Sequence, residues 1–355
     1  DPDIMRCADW IVDVGPRSGV RGGQIVFQGS YESLKSADTL TAQYINMPPH
    51  NGYTRKPWTE SYAIKNATLH NLKNVSVEIP KGVLTCITGV AGSGKSSLIN
   101  GVFLNNNPDA IVIDQQAVTR SSRSTPATYI GFFDLVRKEI ANATGANASL
   151  FSFNSDGACP KCKGMGYISL EMSFMDDVNI ECDECNGQRF KDEVLAIKYK
   201  GKNIFEILNM PAEEAVDFFE NNETRKRLKV LCETGLEYLD IGQSLSSLSG
   251  GEAQRIKIAS ELHKKGNLYI MDEPTTGLHM ADIDRLVSII KKLVKNNNTV
   301  VVIEHNLDLI KHADWVIDMG PDGGKNGGCV LFEGTPENLV ECKNSYTGQY
   351  LKNVL

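Results

Sequence analysis

The 355-residue chain contains no run of about 18 consecutive apolar residues and no basic-then-apolar segment at its start. Neither a membrane span nor a secretion signal is therefore expected; a soluble, cytoplasmic protein is. It also lacks an excess of basic charge. The formal net charge is −7, which excludes a protein that grips DNA over its whole surface, so any nucleic-acid contact must be local. No cluster of carboxylates suited to a nuclease is evident, so strand cleavage is not expected of it. The nine cysteines would suggest disulfides only in a secreted chain. The length exceeds one typical domain, which predicts a core with an inserted or appended segment.

What is present is a set of nucleotide motifs in fixed order. Segment 83–88 reads as a buried strand and feeds Gly89-Val90-Ala91-Gly92-Ser93-Gly94-Lys95-Ser96, a match to G-x-x-x-x-G-K-[ST]. Glycines suit a loop whose backbone N–H groups converge on one anion, and a helix beginning near Lys95 adds its positive end. Gly89, Gly92, Ser93, Gly94, Lys95, Ser96 and Ser97 are the candidate nucleotide-binding residues, with Lys95 on the β- and γ-phosphates and Ser96 on Mg²⁺. A second apolar run ends in Asp272-Glu273. There Asp272 is a candidate Mg²⁺ ligand and Glu273 is placed to orient or deprotonate the attacking water. A third, 299–303, ends in Glu304-His305, whose imidazole is a candidate γ-phosphate contact. Between the first two lies Leu248-Ser249-Gly250-Gly251-Glu252-Ala253-Gln254-Arg255, the nucleotide-clamping signature of one ATPase class. Ser249, Gly250, Gly251 and Gln254 are expected to act on nucleotide held by an opposing phosphate loop. Each motif alone also fits a glycine turn or solvated side chains at a strand end; the four in order do not.

Cys159 and Cys162 are echoed by Cys182 and Cys185 as C-x2-C-x19-C-x2-C, with small residues after each pair. Four thiolates at this spacing can close a tetrahedral, structural Zn²⁺ site. A redox C-x-x-C would need one pair beside a strand–helix unit, not two matched knuckles. Between the knuckles, 167–174 has strand character and suggests a hairpin. Lys161, Lys163, Arg189 and Lys191 surround the site, and Arg120 and Arg123 lie in a Ser/Thr-rich run. These are candidate contacts to a DNA backbone, equally well explained as a solvated face. Cys7, Cys86, Cys232, Cys329 and Cys342 are scattered, and Cys86 reads as a core residue.

With zinc knuckles between phosphate loop and signature, the chain resembles the UvrA family of excinuclease ATPases over nearly its whole length. The runs that carry this are Asn71-Leu72-Lys73-Asn74, Asp114-Gln115, Pro126-Ala127-Thr128-Tyr129, Phe151-Ser152-Phe153-Asn154, the signature, Asp272 to His279, and Ile303-Glu304-His305-Asn306. The resemblance implies a DNA-binding ABC ATPase that senses damage in nucleotide excision repair, with ATP, Mg²⁺ and Zn²⁺ as cofactors and damaged duplex DNA and other repair subunits as partners. It further implies that Gln115 is an Mg²⁺-linked glutamine and that Thr275 to His279 lie at a seam between two ATPase halves. The fold it implies is α/β, an ABC-type P-loop ATPase core carrying an inserted, partly helical, zinc-binding signature lobe. Departures occur at 97–114, at 115–124 and at 153–159, touching the DNA-facing lobe more than the ATP site. A paralogue of the kind associated with resistance to DNA-binding drugs is the alternative, and a non-catalytic interaction module is a third reading.

The chain also repeats itself. Asp3 to Leu34 aligns without gaps on Asp308 to Leu339, sharing Ala-Asp-Trp, a later Asp, Gly-Pro and Gly-Gly. The expected organisation is thus 1–35, tail of a preceding ATPase half; 36–61, linker; 62–115, first part of the core; 116–247, inserted lobe; 248–355, second part of the core. On this reading the chain is a fragment of a two-half protein, and completing a site requires the other half or a second copy. Strands are expected near 74–79, 83–88, 110–113, 268–271 and 299–303. Helices are expected at 212–219, 224–238 and 282–295.

Overall fold

The computed structural model describes residues 2–16, 22–47, 54–114, 116, 123–170, 178–262 and 264–355. Gln115 and Arg120 lie outside them, as do parts of the expected linker. Among the described residues the strands are β1 (Ile11–Gly15), β2 (Gln24–Gly29), β3 (Ser61–Ala67), β4 (Val75–Pro80), β5 (Leu84–Gly89), β6 (Ile111–Ile113), β7 (Tyr167–Leu170), β8 (Val178–Glu181), β9 (Leu268–Asp272), β10 (Thr299–Ile303), β11 (Trp315–Gly320) and β12 (Cys329–Gly334). The chain divides into two units, Asp1–Gln115 with Glu261–Leu355, and Gln116–Ser260.

In the first unit, β12-β11-β5-β10-β9-β6 form one sheet, parallel except for β12. The apolar runs dictate this: β5 and β10 are buried at every position, which is how strands covered on both faces read. Helix Met280–Lys295 buries Ile283, Leu286, Ile290 and Leu293. It starts two residues earlier than expected because the His279 side chain caps it, accepting from the Ala281 N–H. Strands β11 and β12 were not foreseen, although their sequence is one copy of the repeat. In this unit Asp318, buried in β11, accepts from Thr88 Oγ1 at 2.6 Å, Ser345 Oγ at 2.6 Å and Thr347 Oγ1 at 3.0 Å. Three hydroxyls thereby satisfy a carboxylate one residue before the phosphate loop's register.

The repeat is structural as well as sequential. β1 pairs with β2 from Ile11↔Gly29 to Gly15↔Gln24 with an irregularity after Asp13, and β11 pairs with β12 from Val316↔Gly334 to Gly320↔Cys329 with one after Asp318. Their surroundings differ: β11 lies beside β5, whereas β1 and β2 form a two-stranded sheet. Accordingly Val12 and Val14 are 51% and 61% exposed, against 0% and 1% for their counterparts Ile317 and Met319.

His312 in this unit lies 3.0 Å from Lys291 Nζ through its Nδ1. Burial, then the Lys291 charge, pushes its pKa down to about 3. A folded-state pKa below the unfolded value of about 6.5 means stability is present above pH 6.5 and lost as pH falls toward 3. We therefore expect His312→Gln, which cannot titrate, to be relatively more stable than wild type at pH 5 than at pH 7.5. Allowing for solvent screening the gap is about 1 kcal/mol. Paired thermal melts at the two pH values measure it, and an unchanged difference would refute it.

The second unit has its own core, including Phe132, Phe151, Phe153, Phe190, Leu228, Leu231 and Ile256. Its helices include Phe133–Thr144, Ala212–Phe218 and Asn222–Glu233. The last stops short of the expected 238 because Gly235, at φ 74°, turns the chain left-handed. Because Ile256 of helix Gly250–Glu261 belongs to this core, the unit runs to Ser260, whereas the sequence reading returned to the ATPase core at 248. Strands β7 and β8 form the hairpin expected between the knuckles. Among the described residues no helix is long and apolar enough to cross a membrane.

Candidate nucleotide site and four-cysteine cluster

The carboxyl ends of β5, β9 and β10 carry the three nucleotide motifs of the first unit, at the edge where parallel α/β sheets hold ligands. β5 ends at Gly89, where a Cβ would lie 2.0 Å from the Met319 carbonyl oxygen, so only glycine lets β11 approach. The loop turns through left-handed Gly92 and Gly94 into a helix that starts at Lys95 and is π-wound over Ser97–Phe103. Lys95 Nζ donates to the carbonyls of Gly89 at 2.8 Å and Val90 at 3.0 Å. Burial pulls its pKa below the ordinary lysine range, against the carboxylates of Glu273, Asp318 and Asp272, which raise it.

Asp272 ends β9, where Asn100 Nδ2 donates to its Oδ2 at 3.2 Å. Glu273 follows with φ 44°, a left-handed conformation uncommon for a residue with a Cβ, and its N–H donates to the Ile303 carbonyl at 2.9 Å. That bond ties the residue after β9 to the end of β10. His305 Nε2 is 3.6 Å from Glu273 Oε1. Burial, then the Lys95 charge, lowers the His305 pKa, which favours the neutral imidazole.

The residue before it was overlooked in the sequence. Glu304 is buried and accepts from Thr275 N–H at 3.0 Å, Thr275 Oγ1 at 2.5 Å, His305 N–H at 2.7 Å and Asn306 N–H at 2.8 Å. It fixes the turn after Glu273 and the backbone of His305 together. Sequence offered one signal for it, a carboxylate directly after a fully apolar strand.

In the second unit, Ser249 is exposed just ahead of helix Gly250–Glu261, with Gly250 and Gly251 half-buried in its first turn. Its N–H and Oγ both donate to Glu252 Oε2 at 2.8 Å, a reciprocal cap at the helix start. Gln254, by contrast, is buried, at 1% exposure.

Cys159, Cys162, Cys182 and Cys185 are all buried, and their sulfurs lie within 4.8 Å of one another. Cys159 Sγ is 4.0 Å from Cys182 Sγ, and Cys162 Sγ is 3.6 Å from Cys185 Sγ. A tetrahedral Zn²⁺ at about 2.3 Å from each sulfur requires edges of about 3.8 Å, so the set fits that metal. Gly166 N–H, just after the first pair, donates to Cys162 Sγ at 3.2 Å. A Cβ at Gly164 would lie 1.8 Å from the Phe153 carbonyl oxygen, which seats the first knuckle on the unit's core.

The candidate DNA contacts near the cluster differ in how far their charge is already committed. Arg189 stacks on Phe153, 3.9 Å from the ring centroid, and donates to the Gly164 carbonyl at 3.0 Å, so its guanidinium is held inside the unit. Arg123 donates to Met165 Sδ at 3.3 Å and to the Lys163 carbonyl at 3.2 Å. Lys161 pairs with Asp183 at 2.5 Å. Lys191 lines a cavity whose other charged residues are Glu184, Asp192 and Glu193, an acidic setting unsuited to phosphate. Lys163 is exposed.

The sequence pattern of the family described as ABC transporter matches residues 72–276, from the phosphate loop's flank past the Asp272–Glu273 pair. The chain belongs to the ABC ATPase family. Over its whole length it is 47% identical to UvrABC system protein A of Clostridium tetani, covering 42% of that protein, and 45% identical to UvrABC system protein A of Staphylococcus aureus, covering 41%. The crystal structure of UvrA2 from Deinococcus radiodurans superimposes with a TM-score of 0.93 at 39% identity, covering all of this chain and 47% of that one. This ABC ATPase chain thus spans less than half the length of these relatives. The sequence alignments extend over 395 positions against 355 residues here, so the relatives carry segments this chain lacks.

Proposed function

We propose that the chain supplies the second ATPase half, with its zinc-binding signature lobe, of a DNA-damage sensor in nucleotide excision repair. The observation that carries this is whole-length similarity to UvrABC system protein A in a chain whose phosphate loop, Asp272–Glu273 pair and His305 share one sheet edge. On this reading Gly89 to Ser97 cradle the phosphates of ATP, Lys95 bears on the β- and γ-phosphates, and Ser96, Asp272 and Gln115 hold Mg²⁺. The metal supplies charge neutralisation at the phosphates. Glu273 orients or accepts a proton from the attacking water, with neutral His305 beside it. Ser249, Gly250 and Gly251 close over nucleotide held by another half.

The exposed β1–β2 hairpin supports the presence of such a half in the working protein. It copies β11–β12 in register, yet its apolar residues Val12, Val14 and Ile25 stand exposed where their counterparts meet a sheet. The four-cysteine site holds zinc structurally and stiffens the β7–β8 hairpin. β8 is exposed along its length, and this surface, with Lys163, meets the backbone of deformed duplex.

A second reading is supported by the likeness to UvrA2 and by the shorter length in alignment: a paralogue of the repair subunit, acting on drug-bound DNA. Binding to intact and lesion-bearing duplex, with and without ATP, at 50 and 200 mM salt tests both. We expect a lesion preference that changes with ATP, and an affinity about tenfold weaker at the higher salt if roughly two phosphates are contacted. Salt-sensitive binding without lesion preference would favour the paralogue, and no DNA binding would refute both.

A further inference from the structure

The phosphate loop is gripped from behind by a second glycine loop remote in sequence. Gly324 N–H donates to the Gly92 carbonyl at 3.0 Å, and Gly328 N–H donates to the Ser93 carbonyl at 3.0 Å. Asn71 Nδ2 joins them, donating to the Gly92 carbonyl at 2.9 Å and the Gly324 carbonyl at 3.1 Å. The approach is too close for side chains: a Cβ at Gly323 would lie 2.6 Å from the Ala91 carbonyl oxygen, and one at Gly328 would lie 1.8 Å from the Asn71 carbonyl oxygen. Two of the four glycines among residues 323–328, Gly323 and Gly328, are thus accounted for by contact with the phosphate loop and the Asn71 turn.

In a trans peptide the carbonyl and the following N–H point opposite ways. Holding the Ser93 carbonyl on Gly328 therefore turns the Gly94 N–H away from the clasp, toward the open side of the loop. Holding the Gly92 carbonyl fixes the Ser93 N–H, which closes the loop's own turn onto Val90 at 3.2 Å. The outward carbonyls are satisfied before any ligand arrives, so the backbone of the loop is held in place without one.

We propose that Asn71, with the Gly323–Gly328 loop, is a positioning residue that pre-organises the phosphate loop for nucleotide. The inference rests on the nucleotide-binding reading above. Titration of the chain with ADP, which needs no opposing half, tests it through Asn71→Ala and Asn71→Ser. The Kd of Asn71→Ala should rise about tenfold, with partial recovery in Asn71→Ser, which restores one donor. Melting without nucleotide should shift by no more than about 2 °C. If wild type binds ADP and both variants bind within twofold of it, or weaken only in step with a lowered melting temperature, the clasp is scaffolding and the proposal fails. If wild type itself shows no binding that Lys95→Ala removes, the nucleotide reading fails and the clasp with it.

Discussion

Stripping metal from the four-cysteine cluster should unfold the knuckle region of the second unit while the six-stranded sheet of the first stays folded. The local packing explains the size of the effect. The cluster's buried residues are the four cysteines, with Met165 as the apolar neighbour packed on them, so little hydrophobic burial would remain without the metal. The knuckles are otherwise joined by a few backbone bonds, Cys159 N–H to the Arg189 carbonyl at 2.9 Å and Cys182 N–H to the Gly166 carbonyl at 3.0 Å. Structural zinc contributes about 10–16 kcal/mol in isolated zinc-finger peptides, far more than those bonds. One zinc per chain is the expected metal content. Chelation, or Cys162→Ser, should speed amide exchange across 158–190 by a factor of about a thousand or more, since local opening then costs almost nothing. Exchange in β5, β9 and β10 should not change, and Cys232→Ser serves as the control outside the cluster. A chain purified without metal whose knuckle amides stay protected in Cys162→Ser would overturn the zinc assignment. Loss of DNA affinity along with the metal would tie the cluster to the proposed DNA surface.

The parts of this molecule that were legible in the sequence are those whose chemistry is local. Gly89 to Ser96 must lie together because they are consecutive, and the C-x2-C pairs form half-sites by spacing alone; both lie where the motif reading put them. The apolar runs at β5, β9 and β10 were equally plain, since a strand buried on both faces leaves an unbroken signature. What escaped was set by register between distant segments. Glu304 gathers four donors because β10 ends beside the turn after Glu273, and Gly323–Gly328 meets the phosphate loop because β11 lies beside β5. β11 and β12 were hidden in a repeat that was recognised only as homology. Polar side chains were the least legible. Arg189 looked like a surface cation yet covers the Phe153 ring, and Gln254, inside the signature, is buried. Neither outcome follows from residue type, because arginine stems and glutamine amides go wherever the helix or knuckle turn faces.

Glu273→Gln should reduce ATP turnover by about 10²–10⁴-fold in a protein with both ATPase halves, while leaving nucleotide binding intact. The substitution removes the carboxylate and keeps the shape: Thr276 Oγ1 now donates to Oε2 at 3.4 Å, and a glutamine oxygen can accept the same bond. The left-handed backbone and the N–H bond to Ile303 belong to the main chain and persist. Lys95 and the phosphate loop, to which the proposed function assigns binding, are untouched, so ATP should accumulate on the variant instead of ADP. Single-turnover assays with labelled ATP would show this directly, and hydrolysis within threefold of wild type would place the base elsewhere. His305 sharpens the distinction. Burial and Lys95 depress its pKa, which favours the neutral ring; an imidazole can orient water or phosphate but cannot substitute for the lost carboxylate as a negative charge. His305→Ala should therefore cost less than Glu273→Gln. If the trapped variant also holds lesion-bearing DNA with an affinity different from wild type in ATP, the nucleotide state drives recognition. If DNA binding ignores both the substitution and ATP, the ATPase core is a silent scaffold and the chain is an interaction module, whatever its motifs.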